Sequence, residues 1–248
     1  MTTVKPGDRV AWTGVFGSYA DVNVVPANRL VHVPEGLTTK QAAAIMLQGI
    51  TAHYLATSTF PLKSGDTCLV HAGAGGVGLL LTQIAKMRGA RVITTVSTEE
   101  KAQLSRDAGA DHVILYTQQE FDAEVKRITD GRGVQVVYDS VGKTTFEKGL
   151  ASLAPRGYMV LYGQSSGKPD KIYPTDLQKG SLFLTRPTIV NYAAERAELE
   201  QRSRDLFDWV QSGKLRLRME FEYPLAQAAE AHKAIESRTT TGKLLLIP

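Results

Sequence analysis

The 248-residue chain is 43% hydrophobic and 22% charged, a soluble globular composition large enough for one big domain or two smaller ones. Its net charge of +4 is mild and scattered, which suits an anionic small molecule and argues against a nucleic-acid partner. Cys68 stands alone, which excludes a disulfide framework and a thiolate metal cluster, and no apolar run approaches the ~18 residues that span a membrane.

Residues 1–36 read as short strands separated by Gly and Pro turns: "DRVAWTG", "GSYADVNVV" and "RLVHVP". The first residues, "MTTVKPGDRV", carry no apolar signal core, so a cytoplasmic or similarly reducing compartment is expected. Residues 39–57 change to Ala-rich helical spacing. From residue 66 onward short continuous apolar runs alternate with amphipathic helical stretches. "TCLVHA" precedes a helix at 76–88, and "RVITTVS" one at 99–108. "HVILY" precedes a helix at 119–129, and "VQVVYDSV" one at 144–153; "YMVLYG" and "SLFLTRP" follow. Runs that do not alternate suit strands buried on both faces, so a parallel sheet with helices on each side is expected. Next come an amphipathic helix at 193–212 with Leu199, Leu206, Phe207 and Val210 inward, a second helix near 225–237, and a closing strand in "GKLLLIP". The basic cluster "GKLRLR" (213–218) alternates with Leu and reads as a strand with one solvated face.

The centre of interest is "VHAGAGGVG". Gly73, Gly75 and Gly78 fit G-x-G-x-x-G, with Gly76 and Val77 between them. A strand at 67–71 precedes the turn, and the following helix carries Val77, Leu80, Leu81, Ile84 and Ala85 on one face. A further strand from Arg91 completes a βαβ unit. In this reading the first Gly allows a tight turn, the second lets backbone approach a pyrophosphate, and the third lets helix and strand pack. The helix N-terminus then offers N–H groups to the phosphates. No Lys-Ser or Lys-Thr follows the last Gly, which excludes a Walker loop. At the tip of the next strand an NAD site would carry Asp or Glu; here Ser97 stands there, with Lys101 one helical turn on and Tyr116 at the end of the third strand. A small residue and a cation suit a 2′-phosphate, so the expected cofactor is NADPH. His71 reads as a core histidine and Cys68 as a small buried hydrophobe. A Ser–His–Asp hydrolase lacks its G-x-S-x-G elbow here.

"VHAGAGGVG", "VVYDSVG", "LYGQSSG", "GSLFLTRP" and "ESRTTTGKLLLIP" together resemble the zinc-free quinone oxidoreductases. These are zeta-crystallin relatives in the medium-chain dehydrogenase/reductase superfamily. The resemblance runs through the whole chain and implies an α/β protein: a doubly wound parallel Rossmann sheet plus a partial GroES-like β domain. Residues 50–186 would form the Rossmann domain, and 1–49 with 187–248 the GroES-like part. It also implies NADPH-dependent reduction of a quinone, or alternatively of an enone or enoyl substrate, in a homodimer joined near "SLFLTRP". Carried over by motif, Tyr54 would lie near the nicotinamide or phosphate end as the catalytic candidate. Gly76 and Val77 would form the pyrophosphate turn, and Ser97, Lys101 and Tyr116 the 2′-phosphate pocket. Ser140, Tyr162, Gly163 and Ser165 would lie at strand ends beside the cofactor, and Arg238 would reach it. Asp139 would orient loops.

Zinc-dependent members carry a four-cysteine lobe and a ligand cysteine ahead of the Rossmann domain. "MLQGIT" has no such ligand, and the five histidines (32, 53, 71, 112 and 232) show no ligand spacing, so no metal is expected. The family's opening segment, with an Asn and Tyr motif bordering the nicotinamide, has no counterpart in this sequence. A chain that binds NADPH without turnover is therefore a further alternative.

Overall fold

The computed structural model describes residues 4–248. They form two compact units. The first comprises the chain up to Tyr54, Gly75–Leu80 and Ile189–Pro248; the second comprises Leu55–Ala74 and Leu81–Thr188. In the first unit β1 (Val10–Ala11) pairs antiparallel with β2 (Val31–His32), and α1 (Thr39–Tyr54) follows. A π-helical turn, Leu55–Thr59, continues the chain.

The second unit is built on six strands: β3 (Thr67–His71), β4 (Arg91–Val96), β5 (His112–Leu115), β6 (Val134–Asp139), β7 (Leu153–Leu161) and β8 (Phe183–Thr185). Between them run α2 (Gly76–Met87), whose first turn lies in the first unit, α3 (Glu99–Asp107), α4 (Phe121–Ile128) and α5 (Phe146–Ala151). The sheet is parallel throughout, in the order β5-β4-β3-β6-β7-β8. That is a doubly wound sheet whose order reverses at β3, with β4 on one side and β6 on the other.

The continuous apolar runs are explained by burial on both faces. Cys68, Leu69 and Val70 in β3 and Val136, Val137 and Tyr138 in β6 have no exposed surface. Side chains alternate between the faces. Leu69, Ile93, Ile114, Val137 and Met159 pack with Phe121, Val125 and Ile128 of α4 and Phe146 of α5. Val96, Val113 and Leu115 pack with Ala102 and Leu104 of α3. Thr98 caps α3, its hydroxyl accepting from the Lys101 N–H at 3.3 Å, and Glu99 and Glu100 occupy the first turn, where acids favour the helix dipole.

The rest of the first unit holds α6 (Ile189–Tyr192), α7 (Arg196–Gln211), β9 (Phe221–Pro224), α8 (Ala228–Glu236) and β10 (Leu244–Ile247), with β9 and β10 paired in parallel. Ile45, Met46 and Ile50 of α1 and Leu199, Leu206 and Phe207 of α7 are buried; Val210 is only partly so. A Cβ at Gly49 would overlap Ile45 Cγ1 of the same helix and lie 3.2 Å from Leu206 Cδ1 of α7, so both the Ile45 side chain and Leu206 occupy the space that glycine leaves.

Two expected strands do not form. Residues 213–218 are irregular, although Lys243 N–H donates to the Arg218 carbonyl at 2.8 Å. "GSYADVNVV" (17–25) holds no strand, only bends at 19–22, and Val24 within it and Phe16 just before it are 90% and 98% exposed. Alternation prepares a segment for pairing but supplies no partner, and without a ladder these segments stay irregular.

Candidate functional site

In the second unit the carboxyl ends of the strands carry the expected residues. β3 ends at His71, and the chain enters the glycine turn through Ala72, which has φ +54. The left-handed residue is thus an alanine, and the first glycine answers a different need. A Cβ on Gly73 would lie 2.6 Å from Thr94 Cβ and 2.8 Å from Ser105 Oγ, which bond each other at 2.7 Å. Gly73 N–H also donates to the Thr95 carbonyl at 3.0 Å. Gly73 is required for close packing against β4 and α3, which corrects its reading as the residue of the tight turn.

Ser97, Lys101 and Tyr116 lie around the ends of β4 and β5. Tyr116 N–H donates to the Val96 carbonyl at 3.1 Å, and the Thr117 hydroxyl donates to the Ser97 carbonyl at 3.0 Å. Lys101 stands in the first turn of α3, its own N–H held by Thr98. A cation in the first turn of α3 and hydroxyls directly after β4 and β5 are the kinds of group that hold a phosphomonoester.

At the ends of β6 and β7 two turns interlock. Tyr162 and Gly163 both donate to the Asp139 carbonyl, at 2.8 and 3.2 Å, and Ser165 N–H donates to the Ser140 carbonyl at 3.1 Å. Asp139 is fully buried. Its Oδ1 accepts from Val141 N–H at 2.7 Å, Gly142 N–H at 3.0 Å and the Thr145 hydroxyl at 3.0 Å. Ser140, Tyr162, Gly163 and Ser165 are therefore brought together, and Asp139 fixes the loop that carries Ser140. Thr145 is a partner that sequence reasoning missed; its signal was a Thr six residues after a strand-end Asp, with a Gly between.

His71 lies beneath this surface, edge-on to Phe121, with Nδ1 2.9 Å from Thr95 Oγ1. Burial holds its imidazole down to about 4, although Asp139 pulls the other way. The folded chain keeps it neutral, whereas the unfolded chain protonates it below about pH 6.5. Its contribution to stability is therefore complete above about pH 6.5. It falls as pH drops toward about 4, by up to about 3 kcal/mol. In thermal melts between pH 7 and 4.5, His71→Asn should lose less stability than wild type; equal losses would refute this. Burial pushes the Cys68 thiol up to about 12, so it is no nucleophile at neutral pH.

The first unit holds the remaining candidates. Gly75, Gly76, Val77 and Gly78 open α2, and Leu79 N–H, donating to the Gly75 carbonyl at 2.9 Å, makes the first helical bond. The N–H groups before it are those a helix leaves for a ligand. The Gln48 amide sits where a Cβ of residue 76 would be, and Gly75 bridges in parallel to Gly242. Tyr54 ends α1, 2% exposed and stacked on Tyr192 with ring centroids 4.3 Å apart. Arg202 lies over the Tyr192 ring at 5.8 Å and donates to the Tyr192 carbonyl at 2.9 Å. Arg238 follows α8 at φ +59, exposed.

Three comparisons bear on this arrangement. The family model described as zinc-binding dehydrogenase matches residues 76–212. The quinone oxidoreductase of Pseudomonas aeruginosa is 44% identical, over 100% of this chain and 77% of its own length. The 2-haloacrylate reductase of a Burkholderia species is also 44% identical, over 100% of this chain and 76% of its own. The Escherichia coli quinone oxidoreductase, solved in complex with NADPH, is 40% identical with a TM-score of 0.97, over 100% of this chain and 77% of that one. The zinc in the family's description does not fit this donor set. The lone cysteine is buried in β3, and no three His, Cys, Asp or Glu side chains cluster as metal ligands among the described residues.

Proposed function

Because the chain belongs to the zinc-binding dehydrogenase family, within the medium-chain dehydrogenase/reductase superfamily and alongside quinone oxidoreductases, we propose that it is a zinc-independent, NADPH-dependent reductase of quinones. One observation carries the cofactor choice: Ser97 takes the place directly after β4 where an NAD site carries its ribose-binding carboxylate, with Lys101 in the first turn of α3 and Tyr116 directly after β5.

NADPH, when bound, supplies the hydride. Gly75, Gly76, Val77 and Gly78 hold its diphosphate through backbone N–H groups. Gly73 keeps the turn against β4. Ser97, Lys101 and Tyr116 bond the 2′-phosphate. Ser140, Tyr162, Gly163 and Ser165 border the nicotinamide half, on turns that Asp139 fixes. Arg238 also bonds the cofactor. Tyr54 is the residue set beside the reacting ring, and its stack on Tyr192 limits its freedom to turn.

The same proposal takes 50–186 as the Rossmann domain and 1–49 with 187–248 as the partial GroES-like domain, in a cytoplasmic protein. No described helix is long and apolar enough to cross a membrane. β8 ends the sheet with Phe183 and Leu184 48% and 39% exposed, an apolar edge suited to pairing with a second copy in a homodimer. A monomer by sedimentation at micromolar concentration would refute the dimer.

The likeness to a 2-haloacrylate reductase favours a second substrate class, activated alkenes conjugated to a carbonyl. The test is oxidation of NADPH by the purified chain with a panel of quinones and enones, beside titrations of NADPH and NADH. Quinone turnover is expected. Turnover with enones alone selects the second class, and tight NADPH binding without turnover leaves a binding module. Lys101→Ala should weaken NADPH binding tenfold to several hundredfold, since one or two charge-assisted bonds are worth about 1.5–3 kcal/mol each, and leave NADH unchanged.

A further inference from the structure

The first unit contains a crevice lined by Gln48, Gly76, Leu79, Arg216, Arg218 and Lys243. Lys243 reaches it by a constrained route. Gly242 has φ +63, and a Cβ there would lie 2.6 Å from the Arg218 carbonyl oxygen, so only glycine fits. Gly242 bridges to Gly75 in the glycine turn, and Lys243 N–H donates to Arg218 O at 2.8 Å. The lysine is thereby fixed one residue from the turn, lining the same crevice as the first residue of α2.

Its side chain is unusual among the cations there. Arg218 has Glu220 at 2.5 Å and Thr241 at 2.9 Å. The Lys243 ammonium is partly buried with no carboxylate in ion-pair range among the described residues. Burial alone holds it below the ordinary lysine range, with no charged neighbour offsetting the effect. An ammonium withdrawn from water without a counter-charge is costly, and a lysine free to choose would extend into solvent. A site that keeps such a group is complete when an anion enters.

We propose that Lys243 is a cofactor-anchoring residue whose ammonium pairs with the diphosphate of the dinucleotide. This rests on the NADPH reading above and adds a residue to it. Lys243 lines the crevice with Gly76 of the glycine turn, whereas Lys101 stands in the first turn of α3 after β4, so in this proposal the two cations answer to different phosphates. Lys101 sets the choice between NADPH and NADH; Lys243 sets the affinity for both.

The test is a fluorescence titration of the whole chain with NADPH, NADH and 2′-AMP, on wild type, Lys243→Met, Lys243→Arg and Lys101→Ala. Lys243→Met keeps the apolar stem and removes the charge. It should weaken NADPH and NADH by the same factor, roughly ten- to a hundredfold for one charge-assisted bond. It should leave 2′-AMP, which has no diphosphate, unchanged. Lys243→Arg should stay within a few-fold of wild type. The unliganded Lys243→Met chain should melt no lower than wild type, since it loses an uncompensated charge; a merely structural lysine would do the opposite. Tight wild-type binding with unchanged affinity in Lys243→Met overturns the assignment alone, as does a loss confined to NADPH or shared by 2′-AMP. A wild-type chain that binds neither dinucleotide overturns the cofactor reading and this assignment with it.

Discussion

An Asp139→Ala chain is expected to lose at least about 3 kcal/mol of stability and with it most cofactor affinity. The carboxylate is fully buried and accepts from Val141 N–H, Gly142 N–H and the Thr145 hydroxyl. Truncation leaves these three donors without their acceptor. A buried donor left unsatisfied costs about 1–3 kcal/mol. Against a total of about 5–15 kcal/mol for a folded domain, that is a large fraction. The loop they hold carries Ser140, so binding should fall even at temperatures where the chain remains folded. Asp139→Asn keeps one carbonyl acceptor and should recover about half of the lost stability. Urea titrations of the three chains with the slopes compared read this directly. An Asp139→Ala midpoint within about 0.5 kcal/mol of wild type would mean that the loop holds itself without the carboxylate.

Gly163→Ala is expected to damage the site by a single methyl group. A Cβ at 163 would lie 2.5 Å from the Ser140 carbonyl oxygen, 2.8 Å from its Cα and 3.0 Å from its carbonyl carbon. All three are backbone atoms, and the same backbone is tied down from both sides. Gly163 N–H donates to Asp139 O, and Ser165 N–H to Ser140 O. The turns at the ends of β6 and β7 must part for the methyl to fit. Overpacking of this kind costs about 1–3 kcal/mol, and a displaced first contact should weaken NADPH by about a hundredfold or more. Gly76→Ala is the informative comparison. There the obstacle is the terminal amide of Gln48, a flexible side chain that can swing aside, so the stability change should be small. If the two alanine variants melt and bind alike, backbone crowding is not what makes glycine necessary at 163.

The sheet was legible because its strands are buried on both faces, which forces short continuous apolar runs that no amphipathic helix imitates. "TCLVH" and "VQVVYD" fall within the expected runs. The positions of Ser97 and Tyr116 followed from that rhythm, since each directly follows a strand of the adjacent pair β4 and β5, and Lys101 falls in the first turn of the helix after β4. The glycine turn was found, but the part played by its first glycine was not. Ala72 takes the left-handed conformation, and Gly73 answers to Thr94 and Ser105, neighbours that are remote in sequence. Lys243 escaped notice for a related reason. Sequence gives its charge, while its burial and want of a carboxylate depend on Gly242 and Arg218. "GKLRLR" misled because its alternation reports which side faces water and says nothing of a pairing strand.

The first compact unit is assembled from the opening of the chain, six residues of the glycine turn and helix that follow β3, and the final sixty residues, whereas nearly all of the second is one continuous stretch. Synthesis therefore imposes an order. The parallel sheet can close once β8 has left the ribosome, while α1 must wait, its apolar face uncovered, until α7 and β10 have been made. Nascent chains of this protein should depend on chaperones most during that interval, and a premature stop near its end would leave a finished sheet beside an unfinished partner.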